Sequence, residues 1–201
     1  MNCIYNFLIK PLNSRYENSL TIDKKELIIN TNIEDHKFVS KKGVVLSVPM
    51  AFKTDISVGD EVIVHHNIFR RWYDMKGKER NSSLHFKDDK YFCSIDQLYM
   101  YKQKGKYIPN LDYCFVKPIV SKDKFNINKE QPLLGVMKYT NKKLLKLGVN
   151  NEDIVTFTPN SEFEFLFDNQ RLYCMKSNDI VINHGRKKNK EEYNPSWAKS
   201  C

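Results

Sequence analysis

The chain has 201 residues, 41% of them hydrophobic, enough to fill one large core or two small ones, which excludes a disordered chain. Its longest apolar run, Gly43 to Phe52, is ten residues with Pro49 inside it, far short of the roughly 20 that a membrane-spanning helix needs. The net charge of +9 divides as 17 basic against 13 acidic residues up to Gly105 and 16 against 11 beyond it, so no single basic face is implied.

Only Ala51 and Ala198 supply alanine, beside many Val, Ile, Thr, Phe and Tyr, so an all-β chain is expected. In chain order, apolar or alternating runs predict strands at Ile4 to Leu8, Leu27 to Ile29, Gly43 to Val48, Glu61 to Val64, Tyr91 to Cys93 and Leu98 to Tyr101. Short strands between polar connections suit a small closed barrel, because closure removes exposed edges. The opening MNCIYNFLIKPL has neither a cationic region before its apolar residues nor a small-residue cleavage site, so it does not read as a secretory signal. Five cysteines, Cys3, Cys93, Cys114, Cys174 and Cys201, are odd in number and lack C-x-x-C spacing, which suits reduced thiols in a cytoplasmic setting, with the cysteines as core filler.

The chain also matches itself. Leu8-Ile9-Lys10-Pro11-Leu12 corresponds to Phe115-Val116-Lys117-Pro118-Ile119, and Gly59-Asp60-Glu61-Val62-Ile63-Val64 to Asn151-Glu152-Asp153-Ile154-Val155-Thr156. Lys90-Tyr91-Phe92-Cys93 corresponds to Arg171-Leu172-Tyr173-Cys174, each followed by a polar turn and an apolar run. Lys10 to Asp60 spans 50 positions and Lys117 to Glu152 spans 35, so the second copy has a shorter first connection. This pattern predicts a first barrel over 1–103, a linker over 104–110, a second, shortened barrel over 111–183, and a basic, then polar tail over 184–201. The tail is expected outside the second barrel, either loose or docked on a neighbour through Tyr193, Pro195 and Trp197.

The ordered motifs resemble the 10-kDa co-chaperonin (GroES-like) family, in two diverged tandem copies. The residues that carry the resemblance are Ile9-Lys10-Pro11-Leu12 with Arg15, Gly43-Val44-Val45-Leu46-Ser47-Val48, Val58-Gly59-Asp60-Glu61-Val62, and Cys174-Met175-Lys176-Ser177-Asn178-Asp179-Ile180. The resemblance implies two tandem small GroES-like β-barrels in a ring-forming, non-enzymatic protein that caps or regulates a chaperonin and assists folding. It implies that the Glu17 to Lys42 connection is a mobile loop and that the aliphatic tripeptide Leu27-Ile28-Ile29 contacts the chaperonin. As an ordinary buried strand the same three residues would need no partner, and both readings stand open at this point.

The family's roof hairpin falls on His65 to Lys90, where Phe69, Arg70, Trp72 and Tyr73 are the candidates for roof or inter-subunit contact. Arginines interleaved with aromatics also suit nucleic acid, although Asp74, Glu79, Asp88 and Asp89 dilute the positive field, and nucleic acid is the less favoured partner. Lys25-Glu26 stand where the family has glycines, and the second copy's loop is short, which favours an alternative role. In that role the GroES-like barrel is an oligomerisation module in a structural or assembly protein, for example a viral particle subunit.

No dinucleotide, P-loop, nucleophile-elbow or zinc-protease signature occurs, so neither an enzyme nor a cofactor is expected. No metal site is expected either. His65 and His66, read as neighbours in a strand, would point to opposite faces and could not clasp one ion.

Overall fold

The structure is a computed structural model that describes residues 3–16, 19–22, 25–28, 38–121, 130–186 and 191–200. It divides into two compact units, Met1–Lys106 and Tyr107–Cys201. Among the described residues most regular structure is β, as the alanine-poor composition predicts.

The first unit opens with β1 (Phe7–Pro11), β2 (Ser19–Ile22), β3 (Lys25–Ile28), β4 (Lys42–Ser47) and β5 (Glu61–Val64). It continues with β6 (Arg71–Tyr73), β7 (Glu79–Asn81), β8 (His85–Lys87), β9 (Lys90–Cys93) and β10 (Leu98–Gln103); β11 (Lys106–Pro109) starts at the unit's last residue and runs across the division. Its main sheet runs β11-β10-β5-β4-β1-β9-β8, while β2–β3 and β6–β7 are separate two-stranded hairpins. The 104–110 segment expected as a linker holds β11, entered through a turn in which Lys104 and Gly105 both take positive φ.

The second unit contains β12 (Tyr113–Val120), β13 (Glu130–Tyr139), a five-residue helix α1 (Lys142–Lys146), β14 (Ile154–Phe157), β15 (Phe163–Phe167), β16 (Gln170–Lys176) and β17 (Ile180–Asn183). Its sheet runs β15-β16-β12-β13-β14-β17. Read from β17 to β15, that order matches β10-β5-β4-β1-β9-β8 strand for strand.

The match extends to register. Ile9, Lys10 and Pro11 lie opposite Val45, Val44 and Gly43, while Val116, Lys117 and Pro118 lie opposite Met137, Val136 and Gly135. A bulge follows Leu8 in one unit and Phe115 in the other, so the extra residue that bends each long pair occupies the same place. The turns before β5 and β14 are also the same. Asp60 O accepts from Val45 N–H and Asp60 Oδ2 from Ser57 N–H, as Asp153 O accepts from Met137 N–H and Asp153 Oδ2 from Asn150 N–H.

These bonds correct two correspondences by one residue. Asp60 matches Asp153 rather than Glu152. Gly59, at φ +93°, matches Glu152, which holds the same left-handed conformation at φ +72° without a glycine. Tyr91 matches Tyr173, because Tyr91 lies opposite Ile9 and Tyr173 opposite Val116, so Cys93 matches Met175 and not Cys174. In a strand a one-residue slip reverses faces, so Cys93 and Cys174 are not the same core position, although both are buried.

The expected closed barrels are not formed: among the described residues neither sheet returns to its first strand. The second sheet curls until strands distant in its order meet by side chains instead of backbone bonds. Phe167 of β15 reaches Tyr139 of β13 edge to face at 6.2 Å, and Phe165 lies 5.3 Å from Phe115 of β12. A separate buried cluster holds Cys114, Val116, Met137, Leu144, Val155, Phe157 and Met175. In the first unit the largest fully buried side chains include Phe7, Ile9, Ile63, Phe69, Tyr91, Leu98 and Met100.

Gly135 is required by close approach. A Cβ there would lie 2.2 Å from Val116 Cγ1 and 2.7 Å from the Lys117 carbonyl oxygen, whereas at Gly43 the nearest atoms are at 3.1 and 3.2 Å. Gly135→Ala is therefore expected to cost about 1–3 kcal/mol and to lower the urea midpoint. Gly43→Ala is expected to cost clearly less; equal losses would contradict this packing.

Candidate functional site

The segment expected to hold the roof contacts leaves the sheet after β5. A 3-10 turn, His66–Ile68, follows His65, whose ring nitrogen Nδ1 accepts from Asn67 N–H at 3.1 Å. The two histidines are therefore not strand neighbours on opposite faces. Their rings stack at 4.4 Å, and burial with the nearby Lys41 charge lowers the His65 pKa. Among the described residues no group of three or more His, Cys, Asp or Glu is placed to hold a metal ion.

The β6–β7 hairpin is organised by Asp74. Its carboxylate accepts from Lys76 N–H at 3.0 Å and Lys78 N–H at 2.9 Å, and Gly77 supplies the φ of +70° the turn needs. Arg80 Nε adds an ion pair at 2.9 Å. The Lys78 backbone bond first, with Arg80 and the Lys76 backbone bond, holds the Asp74 pKa below the ordinary carboxylate value, and together they outweigh the opposing effect of desolvation.

Strand alternation sorts the candidate residues. Trp72 pairs across the hairpin with Arg80, and Tyr73 with Glu79, so the two aromatics face opposite ways; they are 44% and 49% exposed. Phe69 is fully buried and packs edge to face on Tyr91 at 5.1 Å, which makes it a core residue and removes it from the exposed contact surface. Arg70 and Trp72, with Asn67, Ser82 and Ser83, line an open cleft of about 460 Å³.

The hairpin base is anchored by Arg15, the arginine of the resemblance motif. Its Nε and Nη2 donate to Phe69 O at 3.2 and 2.9 Å, its Nη1 to Asn81 Oδ1 at 2.9 Å, and its guanidinium lies 5.2 Å from the Tyr91 ring centre. Arg71 sits 4.7 Å over Tyr16, whose hydroxyl accepts from Arg71 N–H at 2.7 Å. Burial first, then the Asp89 charge and hydrogen bond, push the Tyr91 phenol up to about 12.

Of the proposed chaperonin-contacting residues, Leu27 and Ile28 lie in β3, where Leu27 is opposite Leu20 and Ile28 opposite Ser19. Ile29 lies outside the described residues. Cys3, Cys93, Cys114 and Cys174 are buried with free thiols, and burial pushes the Cys174 thiol up to about 12.

The C-terminal segment was missed as an ordered element. Residues 191–198 pack on their own unit. Tyr193 N–H donates to Pro118 O at 2.8 Å, Val120 N–H to Glu191 O at 3.0 Å and Arg171 N–H to Asn194 Oδ1 at 3.0 Å, and Ala198 is fully buried. Glu192 is clasped between Lys117, at 3.0 Å, and Lys138. Arg171 lies 5.1 Å from the Tyr173 ring centre and 6.0 Å from that of Trp197. The sequence signal was the lone Lys117 in an apolar strand, which burial obliges to find an acidic partner.

The sequence matches no family model, and no curated protein matches it.

Burial alone would raise the Glu192 pKa, but hydrogen bonds from Lys138 and Lys117 outweigh it and hold the value below the ordinary 4.5. A depressed folded-state pKa stabilises above the unfolded value and loses that contribution as pH falls through the folded one. Glu192→Gln is therefore expected to speed limited proteolysis of the tail at neutral pH, with the difference from the parent protein vanishing once pH falls below the folded-state pKa. A difference that persists there would place the effect elsewhere than in this charge cluster.

Proposed function

We propose that the protein is a non-enzymatic, co-chaperonin-like assembly factor that forms a ring and grips a chaperonin through the β2–β3 arm of its first unit. The observation that carries this reading is the asymmetry of the repeat. Two units share one strand order, yet among the described residues only the first carries an inserted hairpin between its β1 and β4, and that hairpin holds Leu27 and Ile28. In the second unit the corresponding connection, between Val120 and Glu130, has nine residues, fewer than the ten of the β2–β3 arm alone. Each chain thus offers one arm. Burying two or three aliphatic side chains at roughly 1.5–3 kcal/mol each is enough to offset ordering such a short segment.

The bare edge of the second unit supports ring formation. β17 ends its sheet, and Val181 and Ile182 are 54% and 51% exposed, whereas their register equivalents Tyr99 and Met100 in β10 are 7% and 0% exposed. An exposed apolar edge of this kind invites a neighbouring chain.

A second reading, a structural subunit that keeps the fold only for assembly, is favoured by the hairpin tip, where Trp72 and Tyr73 are half-exposed and Met75 fully so.

The triple variant Leu27→Ser, Ile28→Ser, Ile29→Ser is expected to lose association with a chaperonin in the presence of nucleotide while its elution volume on sizing is unchanged. Association retained by that variant would remove the arm from the mechanism. A parent protein that assembles into a large particle but neither binds a chaperonin nor alters its ATPase cycle would decide for the structural reading.

A further inference from the structure

The cleft beside the β6–β7 hairpin has a chemistry that the assembly reading does not use. It is lined by Asn67, Arg70, Trp72, Ser82 and Ser83, and none of the five is acidic. Arg15, Arg71, Arg80 and Arg171 each hold a hydrogen-bonded partner through the guanidinium. Arg70 differs in that among the described residues its guanidinium has no ion pair; its Nε–H, like that of Arg71, is buried without a hydrogen-bond acceptor. A guanidinium in that condition carries an unmet demand for an oxyanion, because its fork is shaped for carboxylate or phosphate.

The neighbouring groups narrow the choice. Trp72, in β6, lies two residues along from Arg70, which precedes the strand; both line the cleft, and Trp72 presents a half-exposed indole, a flat apolar wall. Arg80 stands opposite Trp72 but is held by Asp74 at 2.9 Å, which leaves Arg70 as the cation for an incoming anion. Asn67, Ser82 and Ser83 add amide and hydroxyl groups at the rim. A simple acidic side chain would use Arg70 and leave the indole and the amide idle. A flat heterocycle bearing a phosphate would use all of them, and the volume of about 460 Å³ is in the range of small-ligand sites.

We propose that this cleft binds one nucleotide, its base stacked on Trp72 and its phosphate on Arg70, supplied either as a free nucleotide or as one unit of a single strand. Stacking on an aromatic face tolerates any base, and an arginine beside it anchors the backbone charge, so the site selects nucleotide chemistry without reading sequence. The proposal does not depend on chaperonin binding, because the cleft and the β2–β3 arm share no residue.

The test uses the full chain carrying Trp197→Phe, which leaves Trp72 as the single tryptophan. Adenosine monophosphate and, separately, a short oligothymidylate are titrated at low ionic strength while the Trp72 emission is read. Saturable quenching is expected from at least one of them. Quenching by the mononucleotide identifies a free-nucleotide site, and quenching by the oligonucleotide alone identifies a single-strand site. Arg70→Gln is expected to weaken binding about tenfold, the usual scale for a lost charge-assisted hydrogen bond, and binding is expected to fall as salt rises. Arg186→Gln, an exposed change outside the first unit, is expected to leave binding unchanged. Trp72→Leu, read by calorimetry, is expected to lose binding independently of the fluorescence signal. Absence of saturable binding by either probe, or equal weakening by Arg70→Gln and Arg186→Gln, would overturn the proposal.

Discussion

The structure depends on one repeated constraint, the bulged antiparallel pairing of the strand that carries Lys-Pro with the strand that carries a glycine. In the second unit the close approach of Val116 and Lys117 to Gly135 leaves no room for any side chain at that position. A bulge lies immediately before Val116 in the second unit and before Ile9 in the first, and beyond it each interior strand keeps its pairing as far as the glycine opposite Pro118 or Pro11. Once this pair is set, the acidic turn, the next strand and the closing strand follow in fixed register, because each is hydrogen-bonded to a neighbour already placed.

Most of the sheet was legible because strands in a half-buried sheet write their burial into alternation and β-branched content. Lys42–Ser47, Glu61–Val64, Lys90–Cys93 and Leu98–Gln103 lie within a residue or two of their expected bounds. The repeat was legible for the same reason, but its register was not. Asp60 was aligned with the wrong acid because the sequence offers Glu152 and Asp153 side by side, and only the backbone bonds distinguish them. Barrel closure was over-read. Closure depends on sheet curl and edge pairing over long sequence distances, and in the second unit aromatic rings bring the distant strands together where backbone bonds were expected. The helix α1 was missed although its signals are present. Asn141 Oδ1 caps the Leu144 N–H at 2.9 Å and Gly148 takes φ +81° just beyond, but five residues are too few to show a helical period.

The candidate site was legible in composition and not in geometry. Phe69-Arg70-Arg71-Trp72-Tyr73 reads as one aromatic and basic run, yet the fold gives each member a different duty. Phe69 enters the core, Arg71 pairs with Glu79 at 3.0 Å, Tyr73 faces away from Trp72, and Arg70 with Trp72 lines the cleft. Neither the unbonded Arg70 Nε among the described residues nor the role of Arg15, 54 residues away from Phe69 in sequence, is a property of local spacing.

The cover over the equivalent tyrosines shows how the two copies diverged. Above Tyr91 lies Arg15, tied to the hairpin base, and above Tyr173 lies Arg171, tied to the C-terminal segment through Asn194 and facing Trp197. Where the first copy spends a long internal insertion, the second recruits residues from the far end of the chain. Any dissection of the molecule that stops after β17, at the last strand of the repeat, would therefore yield a second half stripped of its lid, with Lys117 and Lys138 deprived of Glu192. The natural severing point lies beyond Ala198, well past where the sheet itself ends.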